Sequence, residues 1–382
     1  MNSKILNTEV QKFINANLNT DLHSLLLKKS PFPDVTMREI VQQIKGKKVA
    51  SKKFPFLVKD GIVFPPNLNL EQASSEATAI YKATNLKGIN FIDLTCGFGI
   101  DAYFLSENFE NITLIEKNPD LIKIVENNWN ILGLKAQFLN TNLEDFLESN
   151  KEKFDLIYLD PARRDENKNK KFLLEDLSPN IIEIQDKLFE ISDEIMVKLS
   201  PLIDISYLIS EIKNISEIHI IAVRNEVKEL VLYLKKEFKG SIAIKCINLE
   251  SDDADFEFNF DEEKRAQSEF SEPLKHLYIP NNSVLKSGAF NSVSERFKTK
   301  KLHPNTHFYT SNEKIENFPG RILEVEAVDS KTIKKEEKYN IISKNHPLSP
   351  EEIKKKYKIS DGGSSYLIFT QSTKGKIILK SR

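Results

Sequence analysis

Cysteine is almost missing from this chain: two in 382 residues, alongside one tryptophan and three methionines. Cys96 lies between Thr95 and Gly97 and Cys246 lies in an apolar run, so neither a disulfide framework nor a zinc-ligand spacing is available. A reducing compartment fits that usage. No apolar stretch approaches the roughly twenty residues needed to cross a bilayer. The start Met1-Asn2-Ser3-Lys4-Ile5 also lacks the long apolar core of a secretory signal, so the expected location is the cytoplasm, with no membrane partner. The six histidines show no metal-ligand spacing. Pro304 breaks the helical face that His303 and His307 would need to share, and no metal is expected.

An overall excess of one charge is missing too, the formal net charge being -1, but its distribution is uneven. Between residues 331 and 382 there are 13 Lys or Arg against 5 Asp or Glu, and between residues 28 and 59 nine basic residues against only Asp34 and Glu39. Acid collects at residues 250–257 and 261–263. Two basic ends suit a nucleic-acid partner, and solvated helix faces carry the same lysines. The length exceeds one ordinary core, and an apolar content of 40% is enough to fill two or three.

What is present is a pattern of strand ends. With only 12 glycines in the chain, Gly97 and Gly99 stand close together where the apolar run Phe91-Ile92-Asp93-Leu94 gives way to a helical pattern. That reads as a strand, a tight turn and a helix N-terminus, which lets a small ligand approach backbone N–H groups. A second run, Asn111-Ile112-Thr113-Leu114-Ile115, ends in Glu116, whose carboxylate can accept hydrogen bonds from ribose hydroxyls. A third, Phe154-Asp155-Leu156-Ile157-Tyr158-Leu159, ends in Asp160-Pro161.

Around these the chain alternates strands, near Phe91, Thr113, Gln137, Leu156, Met196, His219 and Ile244, with amphipathic helices between them. Such alternation predicts an α/β fold, a doubly wound, mostly parallel sheet covered on both faces. Ahead of it, Val10, Phe13, Ile14, Leu22 and Leu25 recur at helical spacing, and Asp34 or Thr36 caps a helix containing Ile40, Val41 and Ile44. Residues 70–81 read as one helix and residues 264–273 as a polar linker. The tail predicts strands at 274–279, around Phe308, at 321–325 and at 339–343, and a helix from Ser283 to about Phe297. A helix capped by Ser349 with Pro350 at its first position, a Gly362-Gly363 turn and a hairpin of 366–371 with 376–380 complete a small α+β region.

The three strand ends together resemble motifs I, II and IV of the class I S-adenosylmethionine-dependent methyltransferases, over roughly residues 88–250. The tail 345–356, followed by Asp361-Gly362-Gly363, resembles the THUMP-like C-terminal domain of a bacterial family of RNA methyltransferases, in which it follows a ferredoxin-like segment. Asp160-Pro161-Ala162-Arg163-Arg164 and Gln72-Ala73-Ser74-Ser75-Glu76-Ala77 are similar to that family as well. The resemblance implies a helical N-terminal domain at 1–86, a methyltransferase domain at 87–263, a ferredoxin-like segment at 264–321 and a THUMP-like domain at 322–382. It implies S-adenosyl-L-methionine as cofactor and RNA, tRNA or rRNA, as substrate.

Residue by residue, the resemblance implies a cofactor site of Asp93, Thr95, Cys96, Gly97, Gly99, Asp101, Glu116 and Lys117, with the glycine turn organised by Asp93 holding the amino-acid end and Glu116 the ribose. Ser74 and Thr78 come from the preceding helix, and Asn142 stands either near the adenine or as an Asx-turn residue. Asp160, Pro161 and Arg163 are the expected catalytic group, Asp160 also bordering the cofactor. In amino methyltransferases this strand end usually continues with a second proline and an aromatic, whereas here it has Ala162 and Arg163. A guanidinium can stack on a base and Arg164 can hold a phosphate, or the two arginines form a solvated loop with Asp165 and Glu166. Lys286, Lys344, Lys354 and Lys355 are the further RNA-binding expectations.

Two other chemistries are disfavoured. A dinucleotide-binding turn needs a third glycine where this chain has Asp101-Ala102. Carbon-5 methylation of pyrimidines needs a thiolate, and the residue directly after Pro161 is Ala162, not a cysteine. Direct transfer to a base nitrogen or another heteroatom is expected, with Asp160 as the proton acceptor. The alternative is an RNA-binding protein whose methyltransferase fold has lost turnover.

Overall fold

The computed structural model describes residues 1–163 and 173–381. The chain divides into two compact units, Met1–Ile215 with Val231–Phe238 and Ser216–Leu230 with Lys239–Arg382.

The first unit opens with helices Thr8–Ala16, Leu22–Leu26 and Met37–Lys53, whose apolar faces pack Val10, Ile14, Leu25, Ile40 and Ile44 into one buried cluster. Thr36 caps the third helix in a reciprocal capping box with Glu39. Where one helix was expected over residues 70–81 there are two, Asn67–Gln72 and Glu76–Ala83. The break has a local cause: Ser75 accepts the N–H of Thr78 and starts the second helix, which frees Ser74 to turn its hydroxyl inward.

Strands β1 (Asn90–Asp93), β2 (Asn111–Ile115), β3 (Gln137–Leu139) and β4 (Leu156–Leu159) follow, then a two-residue pair, β5 (Ala162–Arg163) with β6 (Leu177–Ser178), and β7 (Glu194–Leu199). The sheet runs β7-β4-β1-β2-β3 with every pair parallel. Helices Ile100–Leu105, Pro119–Leu132, Leu143–Ser149 and Ile181–Ile191 lie between the strands, and β4 is buried along its length. The chain winds outward from β1 through β2 to β3, then returns to β4 on the other side. That reversal opens a crevice at the carboxyl ends of β1 and β4, where open α/β sheets bind ligands. The α/β, doubly wound architecture expected from the sequence is what the structure has.

In the second unit β8 (Ile215–Val223) pairs in parallel with β10 (Ala243–Leu249), which pairs antiparallel with β11 (Phe256–Asn259). The helix expected between His219 and Ile244 is instead a strand, β9 (Glu226–Lys235), entered through a two-residue turn; the strand's residues up to Leu230 belong to this unit and those from Val231 to the first. Arg224 and Asn225 take φ of 49° and 66°, the conformation of a tight hairpin. The run Leu230-Val231-Leu232-Tyr233-Leu234 is continuously apolar, which suits a strand buried on both faces.

A seven-stranded sheet, β13-β14-β12-β15-β18-β17-β16, carries the rest: β12 His276–Pro280, β13 Lys300–Lys301, β14 Tyr309–Ser311, β15 Gly320–Ala327, β16 Lys338–Ser343, β17 Ser360–Ser372 and β18 Gly375–Ser381. Three expectations change here. The helix from Ser283 is two, Asn282–Ser287 and Phe290–Arg296, divided at Gly288. Gly362 and Gly363 lie inside β17, near the register shift at Tyr339/Asn340 of its partner β16. The polar stretch 264–273 is not a free linker: helix Phe260–Arg265 runs into it, and Glu263 accepts the backbone N–H groups of Asn291 and Ser292. The capped helix Pro350–Tyr357 forms as expected, with Ser349 and Glu352 in a capping box.

Candidate active site

A cavity of about 350 Å³ occupies the crevice of the first unit. Asp93 ends β1 fully buried, and its Oδ1 accepts the N–H of Thr95 at 2.9 Å, tightening the turn. Thr95 Oγ1 in turn accepts the N–H of Asp160 at 2.6 Å, which ties the ends of β1 and β4 together. Gly97 and Gly99 both take left-handed conformations, φ 56° and 77°. A Cβ on Gly97 would find only Thr95 O, at 3.7 Å, so the space beside it belongs to the cavity. A Cβ on Gly99 would press on Val125 at 3.0 Å and Trp129 at 3.3 Å.

Glu116 bridges two loops. Its Oε2 accepts the N–H of Gly97 at 3.0 Å and its Oε1 that of Asn118 at 2.8 Å, while Asn140 holds the carbonyls of Glu116 and Lys117. Burial raises its pKa above the ordinary glutamate value against those two N–H groups. Burial raises Asp93 well above the carboxylate range as well, opposed by the Thr95 N–H and reinforced by Asp101, Asp160 and Glu116.

Beneath the turn lies a cluster of buried charge. Asp101 Oδ1 meets Lys82 Nζ at 3.0 Å; its Oδ2 accepts from Ser74 and from Tyr158, each at 2.7 Å, and meets Lys198 Nζ at 3.4 Å. Both ammonium groups also donate to Ser74 Oγ at 3.1 Å. Lys198 reaches on to Asp160 Oδ2 at 2.5 Å. Burial works against the charged form of Asp101, but Lys82 and Lys198 outweigh it and hold the carboxyl below its ordinary range. On Asp160 burial wins and the pKa is raised, with Lys198 opposing and Asp101 adding to the rise.

Of the residues expected at the cofactor, Ser74, Asp93, Thr95, Cys96, Gly97, Gly99, Asp101, Glu116, Lys117, Asn142 and Asp160 all line the cavity. Thr78 does not; it is buried in its helix with its hydroxyl on Ser75 O. Asn142 lines the cavity while capping helix Leu143–Ser149, its Oδ1 on the N–H of Asp145 at 2.8 Å. Pro161 is buried just beyond Asp160, and Arg163 lies half-buried in β5 opposite Leu177, outside the cavity lining. Arg164 lies outside the described residues. In the second unit, Lys344 and Lys355 are exposed, Lys286 is half-buried, and Lys354 meets both Glu351 and Asp361 at 2.6 Å.

Sequence reasoning missed Lys82, Tyr158 and Lys198. Lys198 had a visible signal, a lysine inside the otherwise apolar strand Ile195-Met196-Val197-Lys198-Leu199. Both cysteines are buried, Cys96 with its thiol pushed up by burial and by Asp93 and Glu116, and Cys246 pushed up to about 12 by burial.

Three family models match this chain: "conserved hypothetical protein 95" over residues 76–186, a ferredoxin-like domain over 276–319 and a THUMP domain-like region over 320–381. A crystal structure from Porphyromonas gingivalis W83, described as that of a candidate methyltransferase, superposes with a TM-score of 0.87 at 27% identity, covering 100% of this chain and 98% of that one. An uncharacterised RNA methyltransferase of Mycoplasma mobile is 29% identical over 160 residues, 37% of this chain. The match spans 44% of that relative's length. The chain thus has a Rossmann-like methyltransferase fold, and the likeness read from its motifs, ferredoxin-like and THUMP-like parts included, holds.

Proposed function

We propose that this chain is an S-adenosylmethionine-dependent methyltransferase that modifies RNA by direct transfer to a base nitrogen or another heteroatom. The observation that carries the reading is the cavity at the β1/β4 crevice, where the glycine turn, Glu116 and Asp160 converge from the ends of three neighbouring strands, β1, β2 and β4. Its volume suits a small cofactor. Among the described residues its charged lining is Asp93, Asp101, Glu116, Glu144 and Asp160 against Lys117 and Lys198. Even with burial pushing Asp93 towards its neutral form, this carboxyl-rich lining favours a sulfonium and an α-ammonium over the paired phosphates of a dinucleotide.

Gly97 leaves room for the methionyl part, and Glu116, held by two backbone N–H groups, keeps lone pairs for ribose hydroxyls. S-adenosylmethionine, when bound, supplies an electrophilic methyl group, so the protein's task is chiefly in-line positioning. Asp160 borders the same cavity and is placed to accept a hydrogen bond or a proton from the attacking group. A cysteine nucleophile is not part of this reading: both thiols are buried and held in the neutral form.

RNA as substrate is supported by the THUMP domain-like match, the excess of Lys and Arg after residue 331 and the likeness to the Mycoplasma mobile protein. The test is mass spectrometry of nucleosides from total tRNA and rRNA, from cells with and without the gene, followed by transfer from labelled cofactor to the affected RNA in vitro. Loss of one methylated nucleoside, restored by the purified protein, is the expected result. An unchanged nucleoside profile with intact RNA binding favours the inactive-binder alternative.

A further inference from the structure

Adjacent parallel strands place Lys198 beside Asp160. Leu159 of β4 is in register with Val197 of β7, so the next residue on each strand, Asp160 and Lys198, emerges side by side at the carboxyl ends. The two side chains meet at 2.5 Å, and Lys198, nearly buried, is itself fixed by Ser74 Oγ at 3.1 Å and Asp101 Oδ2 at 3.4 Å. We propose that Lys198 is a positioning residue for methyl transfer, holding the Asp160 carboxylate in place and ionised beside a second carboxylate that would otherwise oppose it. The inference rests on the reading of Asp160 as the group that meets the acceptor.

The charged and titratable groups around Asp160 come from the neighbouring elements: Asp93 at the end of β1, Asp101 on helix Ile100–Leu105, Lys82 on helix Glu76–Ala83 and Lys198 on β7, with Tyr158 on β4 itself and Arg163 three residues on in β5. Tyr158 and Lys82 are turned to Asp101, the latter on its other oxygen. Burial and Asp101 both disfavour a second negative charge, and Lys198, in direct contact, is the largest opposing influence, with Lys82 adding to it. A neutral side chain at 198 would leave two carboxylates facing one another across the site, so that Asp160 takes up a proton at a pH where it is ionised in the parent.

The experiment is the pH profile of methyl transfer from labelled S-adenosylmethionine to the RNA that the parent modifies, for the parent, Lys198→Met and Lys198→Arg. The acid limb for Lys198→Met should move to higher pH by about one unit or more, a roughly tenfold or larger loss of rate below the new limb, with recovery at alkaline pH. Lys198→Arg should return the limb towards that of the parent, and the change should fall on kcat rather than on KM for the cofactor. Lys198→Gln, which keeps a hydrogen bond to Ser74 within reach, is the substitute if the Met protein loses cooperative melting, and the same displacement is expected. An unmoved limb, or a uniform loss at every pH, overturns the inference while leaving the parent's activity and the functional reading intact. A parent that transfers no methyl group overturns both.

Discussion

The charges around the cavity and the charges of the C-terminal sheet obey different physics. In the first unit Lys82 is fully buried, Lys198 nearly so, and each is held by several named partners. In the second unit Lys344 and Lys355 stand in solvent, and the pairs of Lys354 are made with largely exposed Glu351 and Asp361. A buried ion pair is costly to form and more costly to break on one side, whereas an exposed one contributes about 0–1 kcal/mol and is screened by salt. The lesson is that position carries the meaning of the cavity charges, while number carries that of the surface lysines.

The largest effect expected is on chemistry. Asp160→Ala should abolish methyl transfer while leaving cofactor affinity within a few fold, as measured by transfer of label and by calorimetry. Equal loss of both would make Asp160 a cofactor ligand only and blur the distinction between holding and reacting.

Next comes stability. Lys82→Met should cost about 3–5 kcal/mol in unfolding free energy, because it strands Asp101 in the interior with one cation fewer. Denaturant melts of parent and variant measure it, and a cost below about 1 kcal/mol would mean that the buried cluster behaves like a surface pair. Glu116→Ala should lower cofactor affinity about tenfold or more, the roughly 1.5–3 kcal/mol of a hydrogen bond to a charged group, and calorimetry reads it directly.

The smallest effects belong to the lysines. Lys344→Gln and Lys355→Gln should each flatten the salt dependence of RNA binding by at most about 0.7 in the log–log slope, the contribution of one single-strand phosphate. Lys354→Gln should change it less, since its ammonium is already shared between two carboxylates. Filter binding across a salt series separates the three, and a larger change at Lys354 would reverse the ranking.

The turn at Gly97 and Gly99, the carboxylate of Glu116 and the Asp160-Pro161 strand end were legible because each follows directly on a short apolar run, and local sequence dictates a strand and its exit. The Lys82–Asp101–Lys198–Asp160 cluster was not. Its members are brought together by the register of β7 on β4 and by the helix break at Ser75, and neither leaves a periodic trace. Residues 73–75 are small and helix-compatible, so the interruption that delivers Ser74 to Asp101 was hidden. β9 was missed for a related reason, since its hairpin turn, Arg224-Asn225, lacks the glycine that usually marks one.

The central claim, that the cavity is built for a sulfonium cofactor, is tested most directly by titrating the parent protein with S-adenosylmethionine, its demethylated product and NADH in a calorimeter. The account predicts saturable binding of the first two and none of NADH. Saturable binding of NADH with no heat from S-adenosylmethionine would contradict it.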